Sequence, residues 1–385
     1  MTVTKDHVLD ALRGVIDPDL GRDIVSLGFV TQNAVCDGTV KVTINLTTPA
    51  CPVKDQLREQ ARGLIAAIPG VTSVDVEMTA VVRGNQAPRQ IAPSVRHIVA
   101  VSSGKGGVGK STATVNLAVA LARTGARVGI MDCDVYGPDI PMMMGLHGEP
   151  ETTIHRKLIP KERHGVKTMS IGYLLADDKP VVWRGPMVHK LIEQFLADVF
   201  WGDLDYLLVD MPPGTGDAQL SLAQIVPLSG AVLVTTPQAV STFDVTKAIG
   251  MFKQVNVPIL GIIENMSTFV VRGRVERSGV AANDTTVKID SGLGIHTCPV
   301  DADGRFELAI DLFGRGGADA LARKHGFPVL GKVPLNPNVR VGGDAGDPVT
   351  ESHPDSAEAR AFTAIAGKLA QRLAIREHAE LPILQ

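Results

Sequence analysis

The rhythm of hydrophobic and polar positions changes once along this chain, near residue 97. Before that point the pattern mixes helical and alternating stretches. Lys5 to Val15 has helical spacing and stops before Asp17-Pro18. Thr39 to Leu46 alternates, with Val40, Val42, Ile44 and Leu46 on one face, which predicts a strand. Val53 to Ala67 predicts a helix ended by Pro69-Gly70, and Val71 to Val82 contains a strand with Val74, Val76 and Met78 on one face. Residues 1–82 therefore read as a small α+β domain. Arg83 to Arg96 is polar with two prolines and reads as a linker, 83–96. From His97 to the end (97–385) short apolar runs alternate with helical stretches. His97–Ser102, Val128–Met131, Tyr206–Val209, Ala231–Thr235 and Ile259–Ile263 hardly alternate, as strands buried on both faces do not. This predicts an α/β domain with a mostly parallel sheet covered by helices on both faces. Pro354 to Arg376 reads as a further helix whose Leu369, Leu373 and Ile375 pack on that sheet.

Composition narrows the function classes. The chain has 385 residues, 44% hydrophobic and 21% charged, enough for one large or two ordinary cores. A net charge of −3 and aromatic content of 4% give no sign of a nucleic-acid surface. The four cysteines, Cys36, Cys51, Cys133 and Cys298, are too widely spaced for a disulfide framework and suit a reducing compartment. No stretch is long and apolar enough to span a bilayer, and the N-terminus lacks a signal-like apolar region. The expectation is a soluble cytoplasmic protein with neither membrane nor nucleic acid as partner.

The sharpest chemistry lies between the strand at 97–102 and the Ala/Leu-rich helix predicted from Thr112 to Thr124. Ser103 to Thr112 reads S-G-K-G-G-V-G-K-S-T, a P-loop pattern in its required strand-to-helix setting. Gly104, Gly106, Gly107 and Gly109, with Val108 among them, let successive N–H groups wrap a phosphate, and the helix N-terminus adds partial positive charge. Lys110 is expected at the β- and γ-phosphates of ATP, the Ser111 hydroxyl on Mg²⁺, and Thr112 at the α-phosphate. A second lysine, Lys105, has no use in an ordinary P-loop. It is placed to cross a dimer interface and stabilise transition-state charge on the partner's nucleotide, as an arginine finger does.

Three further motifs follow predicted strands. Asp132 and Asp134 stand where α/β sheets place their ligands. One carboxylate is expected to hold Mg²⁺ through water and the other, Asp134, to orient the attacking water. Asp205 to Asp217, D-Y-L-L-V-D-M-P-P-G-T-G-D, is a Walker-B pattern with Asp210 aimed at Mg²⁺, followed by a loop in which Gly214 can sense the γ-phosphate. Asn265 is a candidate for reading adenine through its amide, with Pro334 and Pro337 flanking the base. Catalysis thus rests on Lys105, Lys110, Asp134 and Asp210.

G-K-G-G-V-G-K-S-T resembles the deviant Walker A signature of the MinD/ParA/nitrogenase-iron-protein class of P-loop ATPases. D-x-D-x-x-G-P-x-x-P at Asp132 to Pro141, W-R-G-P-M at Trp183 to Met187, the Walker-B run, E-N-M-S at Glu264 to Ser267 and L-F-G-R-G-G at Leu312 to Gly317 are similar to the Mrp/ApbC family. Asp17 to Gly28 and T-T-P-A-C-P at Thr47 to Pro52 resemble the small domain of PaaD-like iron–sulfur assembly proteins. The resemblance implies a P-loop ATPase fold and an ATP-sandwich homodimer. It also implies a slow ATPase that takes an iron–sulfur cluster from an assembly scaffold and transfers it to apo-proteins.

Such proteins usually hold a [4Fe–4S] cluster with a C-P-x-C pair from each subunit. This chain departs from that pattern, with Cys298 present and Asp301 where the second cysteine would fall, after a polar, turn-rich stretch at Phe269 to Thr297 that reads as an insertion. Carboxylates are poor ligands for such clusters. Cys298 is therefore one candidate ligand and an ordinary loop cysteine is the alternative. Cys51, just before a predicted helix whose N-terminus would lower its pKa, is the second candidate. Cys36 and Cys133 read as structural. Asp139 is a smaller departure, since the family commonly has serine there. The competing function is a metal-free, ATP-dependent dimer switch that gates a protein partner. A MinD/ParA-like positioning role would need a basic or membrane-binding surface that the composition does not offer.

Overall fold

The computed structural model describes residues 3–36, 38–82, 92–135, 137–174, 185–275 and 286–380. Most of the 83–96 linker, Trp183 and Arg184 of the W-R-G-P-M motif, and 276–285 of the expected insertion lie outside the described residues.

The small N-terminal unit is a three-stranded sheet in the order Val30–Cys36, Thr39–Leu46, Ser73–Ala80. Its first pair is antiparallel and its second parallel, as a strand–helix–strand connection through Lys54–Ala66 requires. Val40, Val42, Ile44 and Leu46 all point inward and meet Leu57, Ala61 and Ile65 of that helix. The first helix is shorter than its spacing suggests, Lys5–Leu12, with Thr4 accepting a capping bond from the His7 N–H.

The large unit is an eight-stranded sheet. Its order is Val329–Lys332, Ile259–Glu264, Gly230–Thr235, Val95–Ser103, Leu204–Asp210, Val128–Asp132, Val166–Ser170, Lys161–Arg163. Every pairing is parallel except the last, so the five strands read from the sequence form the centre. The three outer ones are short and carry no long apolar run. Strand Val95–Ser103 begins two residues before the expected start of the domain.

Helix Lys110–Arg123 is buried along nearly its whole length, because it lies between the sheet and the C-terminal helix Ala357–Glu380. Leu369 and Leu373 of that last helix join this core, with Phe362 and Ile365. On the opposite face, helices Gly185–Ala197, Asp217–Ile225, Ala239–Gln254 and Gly317–His325 cover the sheet. The polar, turn-rich stretch read as an insertion contributes to two antiparallel pairs, Phe269–Arg274 with Arg305–Ile310 beyond it and Thr286–Asp290 with Ile295–Pro299.

The two units share a seam. Ala50 and Val82 of the N-terminal part pack into the core of the large one, and the Thr48 hydroxyl lies 3.0 Å from the Tyr206 hydroxyl, both buried.

Candidate nucleotide site

Two neighbouring strands set the site. Val95–Ser103 delivers the P-loop and Leu204–Asp210 delivers Asp210, with Asp210 in register with Val101. The loop reaches its helix through Gly109, whose φ of +80° belongs to the left-handed region that glycine tolerates best. Gly104 is required for a different reason. A Cβ there would lie 2.3 Å from the backbone of Asp244 and Val245 in helix Ala239–Gln254. The P-loop is thus pressed against that helix.

Asp210 is fully buried and is the hub of the site. Lys110 Nζ donates to its Oδ2 at 2.6 Å, the Ser111 hydroxyl to the same oxygen at 2.7 Å, and the Thr114 hydroxyl to Oδ1 at 2.6 Å. Lys110 also lies 3.6 Å from Asp134 Oδ2. Burial opposes the charge on Lys110, but Asp210 with Asp134 and Asp132 outweighs it and raises the lysine's pKa. The ammonium is therefore held charged at neutral pH. Above this cluster opens a cavity of about 510 Å³, walled by Lys105, Gly106, Gly107, Gly109, Lys110, Ser111, Thr112, Asp134 and Asp139, with Met143, Pro213 and Met266. That volume is of the size small-molecule sites have. Ser111 lines the cavity, and Asp210, itself buried off the wall, lies within 2.7 Å of its hydroxyl, a pair of hard oxygens that fits Mg²⁺.

Several expected residues lie outside the cavity wall and have bonds of their own. Asp132 does not wall the cavity. Its Oδ1 accepts the Asp134 N–H at 3.0 Å and its Oδ2 the Ser170 hydroxyl at 2.7 Å. Burial, then the charge of Asp210, pushes its pKa well up, and its bond to the Asp134 N–H positions Asp134. Asn265 and Pro334 are likewise absent from the walls. The Asn265 amide donates to the Val108 carbonyl at 2.9 Å and braces the P-loop from beneath. Its neighbour Met266, at φ +54°, faces the cavity instead. Gly214, at φ +96°, lies in the loop after Asp210, and Pro213 of that loop reaches the cavity wall. Thr114 and Ser170 were not read as site residues. Thr114 had a legible signal, one helical turn beyond Lys110, whereas Ser170 reaches Asp132 only through the pairing of distant strands.

The cysteines also depart from expectation. Cys51 is half-buried, in a small pocket with Asp17, Asp19, Thr48, Gln371 and Ile375. Burial raises its pKa, and the carboxylates of Asp17 and Asp19 add to this, outweighing the backbone N–H and Lys54 that favour thiolate. The lowering expected from the helix N-terminus does not prevail. Cys298 is buried within its strand pair opposite Val287, while Asp301 spends Oδ1 on the N–H groups of Asp303 and Arg305 in a turn. Among the described residues no three His, Cys, Asp or Glu side chains converge to hold a metal. Cys133 is buried, as a structural role requires, but Cys36 is exposed. No helix among the described residues is long and apolar enough to cross a membrane.

Known proteins align with both units. Residues 94–303 and 302–370 match the family described as ParA, NUBPL iron-transfer P-loop NTPase, and residues 5–77 match the iron–sulfur cluster assembly protein family. An iron–sulfur cluster carrier protein of Deinococcus radiodurans is 45% identical over 379 residues, covering 98% of each chain. One from Synechocystis is 44% identical over 382 residues, covering 97% of this chain and 99% of the relative. A solved nucleotide-binding protein from Archaeoglobus fulgidus, in complex with ADP, is 36% identical. It covers 66% of this chain and 87% of its own, with a TM-score of 0.50. With an assembly domain at one end and a nucleotide cradle of this form at the other, the chain belongs to the iron–sulfur cluster carrier family of ParA-like P-loop NTPases.

Proposed function

We propose that this chain binds ATP with Mg²⁺ and hydrolyses it slowly as a homodimer, using the cycle to load a cluster and release it to apo-proteins. The observation that carries the reading is the hub at Asp210, where Lys110, Ser111 and Thr114 converge beneath the P-loop cavity. With nucleotide bound, Lys110 would turn from Asp210 to the β- and γ-phosphates, and the Ser111 hydroxyl and Asp210 would hold Mg²⁺, which would neutralise phosphate charge. The P-loop N–H groups fix the chain of phosphates. Asp134, held by Asp132, orients the attacking water, and Gly214 senses the γ-phosphate. Lys105, at the cavity's rim, reaches the nucleotide of a second copy. The activity belongs in the cytoplasm, with neither nucleic acid nor membrane as partner.

For the cluster we favour Cys51 over Cys298, because its thiol opens to a pocket whereas Cys298 is 5% exposed. The second reading, an ATP switch acting on a protein partner, is favoured by the engagement of Asp301 in its own turn. Anaerobic reconstitution with iron and sulfide, counted per dimer with absorbance near 400 nm (the ordinary charge-transfer region), separates them. A stoichiometric cluster lost in Cys51→Ala and kept in Cys298→Ala is expected. Loss only in Cys298→Ala overturns the choice of thiol, and no cluster above background leaves the switch.

A further inference from the structure

The nucleotide cavity carries one carboxylate that the reading above does not use. Asp139 lies on its wall with Asp134, Lys105 and Lys110. It stands at the start of the short helix Ile140–Met143, yet its side chain makes no capping bond there. Among the described residues, no hydrogen bond or ion pair engages its carboxylate, which feels Lys110 and Asp210 only through space. Its backbone, by contrast, is held on both sides. The Asp139 N–H donates to the Gly137 carbonyl at 2.9 Å, and its carbonyl accepts the Met143 N–H at 3.0 Å. Ile140, the next residue, is fully buried. The carboxylate is therefore kept at the cavity by an anchored backbone.

Its effect follows from counting charge on the wall. Lys105 and Lys110 face the cavity with Asp134 and Asp139, two charges of each sign. Asp210, bonded to Lys110 just behind the wall, is a third carboxylate, so without Asp139 the two ammonium groups and the two remaining carboxylates balance. With Asp139 the site carries a surplus negative charge, and the nucleotide needs neutralising charge of its own. We propose that Asp139 makes nucleotide binding conditional on the divalent cation: it disfavours the free triphosphate and tolerates the Mg²⁺ complex. This inference rests on the proposed ATP binding at the same cavity. Its size follows from Coulomb's law. A difference of one effective charge between the free and Mg²⁺-bound triphosphate, at roughly 7 Å and an effective dielectric of about 40, changes their relative affinity by about fivefold to tenfold. The Mg²⁺ complex carries less net charge and is penalised less.

The test is a ratio of affinities. Dissociation constants for ATP are measured by calorimetry in excess Mg²⁺ and in EDTA, for the full chain and for Asp139→Asn, Asp139→Ser and Asp139→Glu. We expect the ratio of the EDTA value to the Mg²⁺ value to fall about fivefold to tenfold in the Asn and Ser variants and to persist in the Glu variant. General loosening of the site weakens both forms alike and leaves the ratio unchanged, so an unchanged ratio in Asp139→Asn overturns this inference alone. A parent chain that binds neither form overturns the nucleotide reading, and this inference with it.

Discussion

Asp210 shows how a single side chain can be specified from three directions. It is fully buried, so an unpaired charge there would be costly, and each of its partners comes from the first turn or so of one helix. The same accounting explains the thiols. Cys51 is in a place where desolvation and two nearby carboxylates act together against the thiolate. Its pKa lies above the ordinary value, so below that pKa the folded protein holds less thiolate than the unfolded chain. Iodoacetamide labelling of Cys51, followed by mass spectrometry from pH 7 to 10, is therefore expected to be slower folded than in urea. The gap should narrow as pH rises through the folded pKa. Equal rates at pH 8 would show that the pocket does not suppress the thiolate.

At the level of elements, the P-loop is supported by contacts that lie far away in sequence. Helix Ala239–Gln254 presses on it at Gly104, and Asn265, at the end of strand Ile259–Glu264, holds Val108. Gly104→Ala would place a methyl group 2.3 Å from backbone atoms that cannot rotate away. Overpacking of that kind costs about 1–3 kcal/mol. Urea unfolding should register that loss, with ATP binding weakened as the loop shifts. A variant as stable as the parent would mean that the helix yields. The central strands and the P-loop helix were legible because long apolar runs and a glycine-rich motif are local signals. The outer strands were not, since Lys161–Arg163 and Val329–Lys332 are short and acquire their structure from their neighbours. Asp132 and Asn265 were visible as polar residues after strands, but their partners, Ser170 and Val108, come from other elements, so the bonds that hold them were not legible. The strand pairs around Cys298 were masked by polar composition, although V-K-I-D and E-L-A-I alternate.

For the whole molecule, the seam between the units matters most. Tyr206 is on the strand that ends in Asp210, and Thr48 is three residues before Cys51. Their buried hydroxyl pair ties the Walker-B strand to the cysteine loop, while Gln371 of the C-terminal helix bonds Asp19 beside the same pocket. A double-mutant cycle with Thr48→Val and Tyr206→Phe, read by urea unfolding, should give a coupling of about 0.5–1.5 kcal/mol. Additive effects would mean that the two hydroxyls are independently satisfied and that the seam is only apolar contact.

The margins of the large sheet constrain how copies of this chain meet. One margin is Lys161–Arg163, three residues long and charged throughout, with Arg163 bonded to the Met144 and Gly145 carbonyls. The other, Val329–Lys332, is four residues long and ends in Lys332, paired with Asp319 and Glu264. Brief, charge-bearing rims of this sort deter the ribbon-like stacking by which exposed sheets recruit one another. With lateral growth discouraged at both ends, extension of the sheet from copy to copy is closed off, and any meeting of two copies falls to surfaces other than these rims.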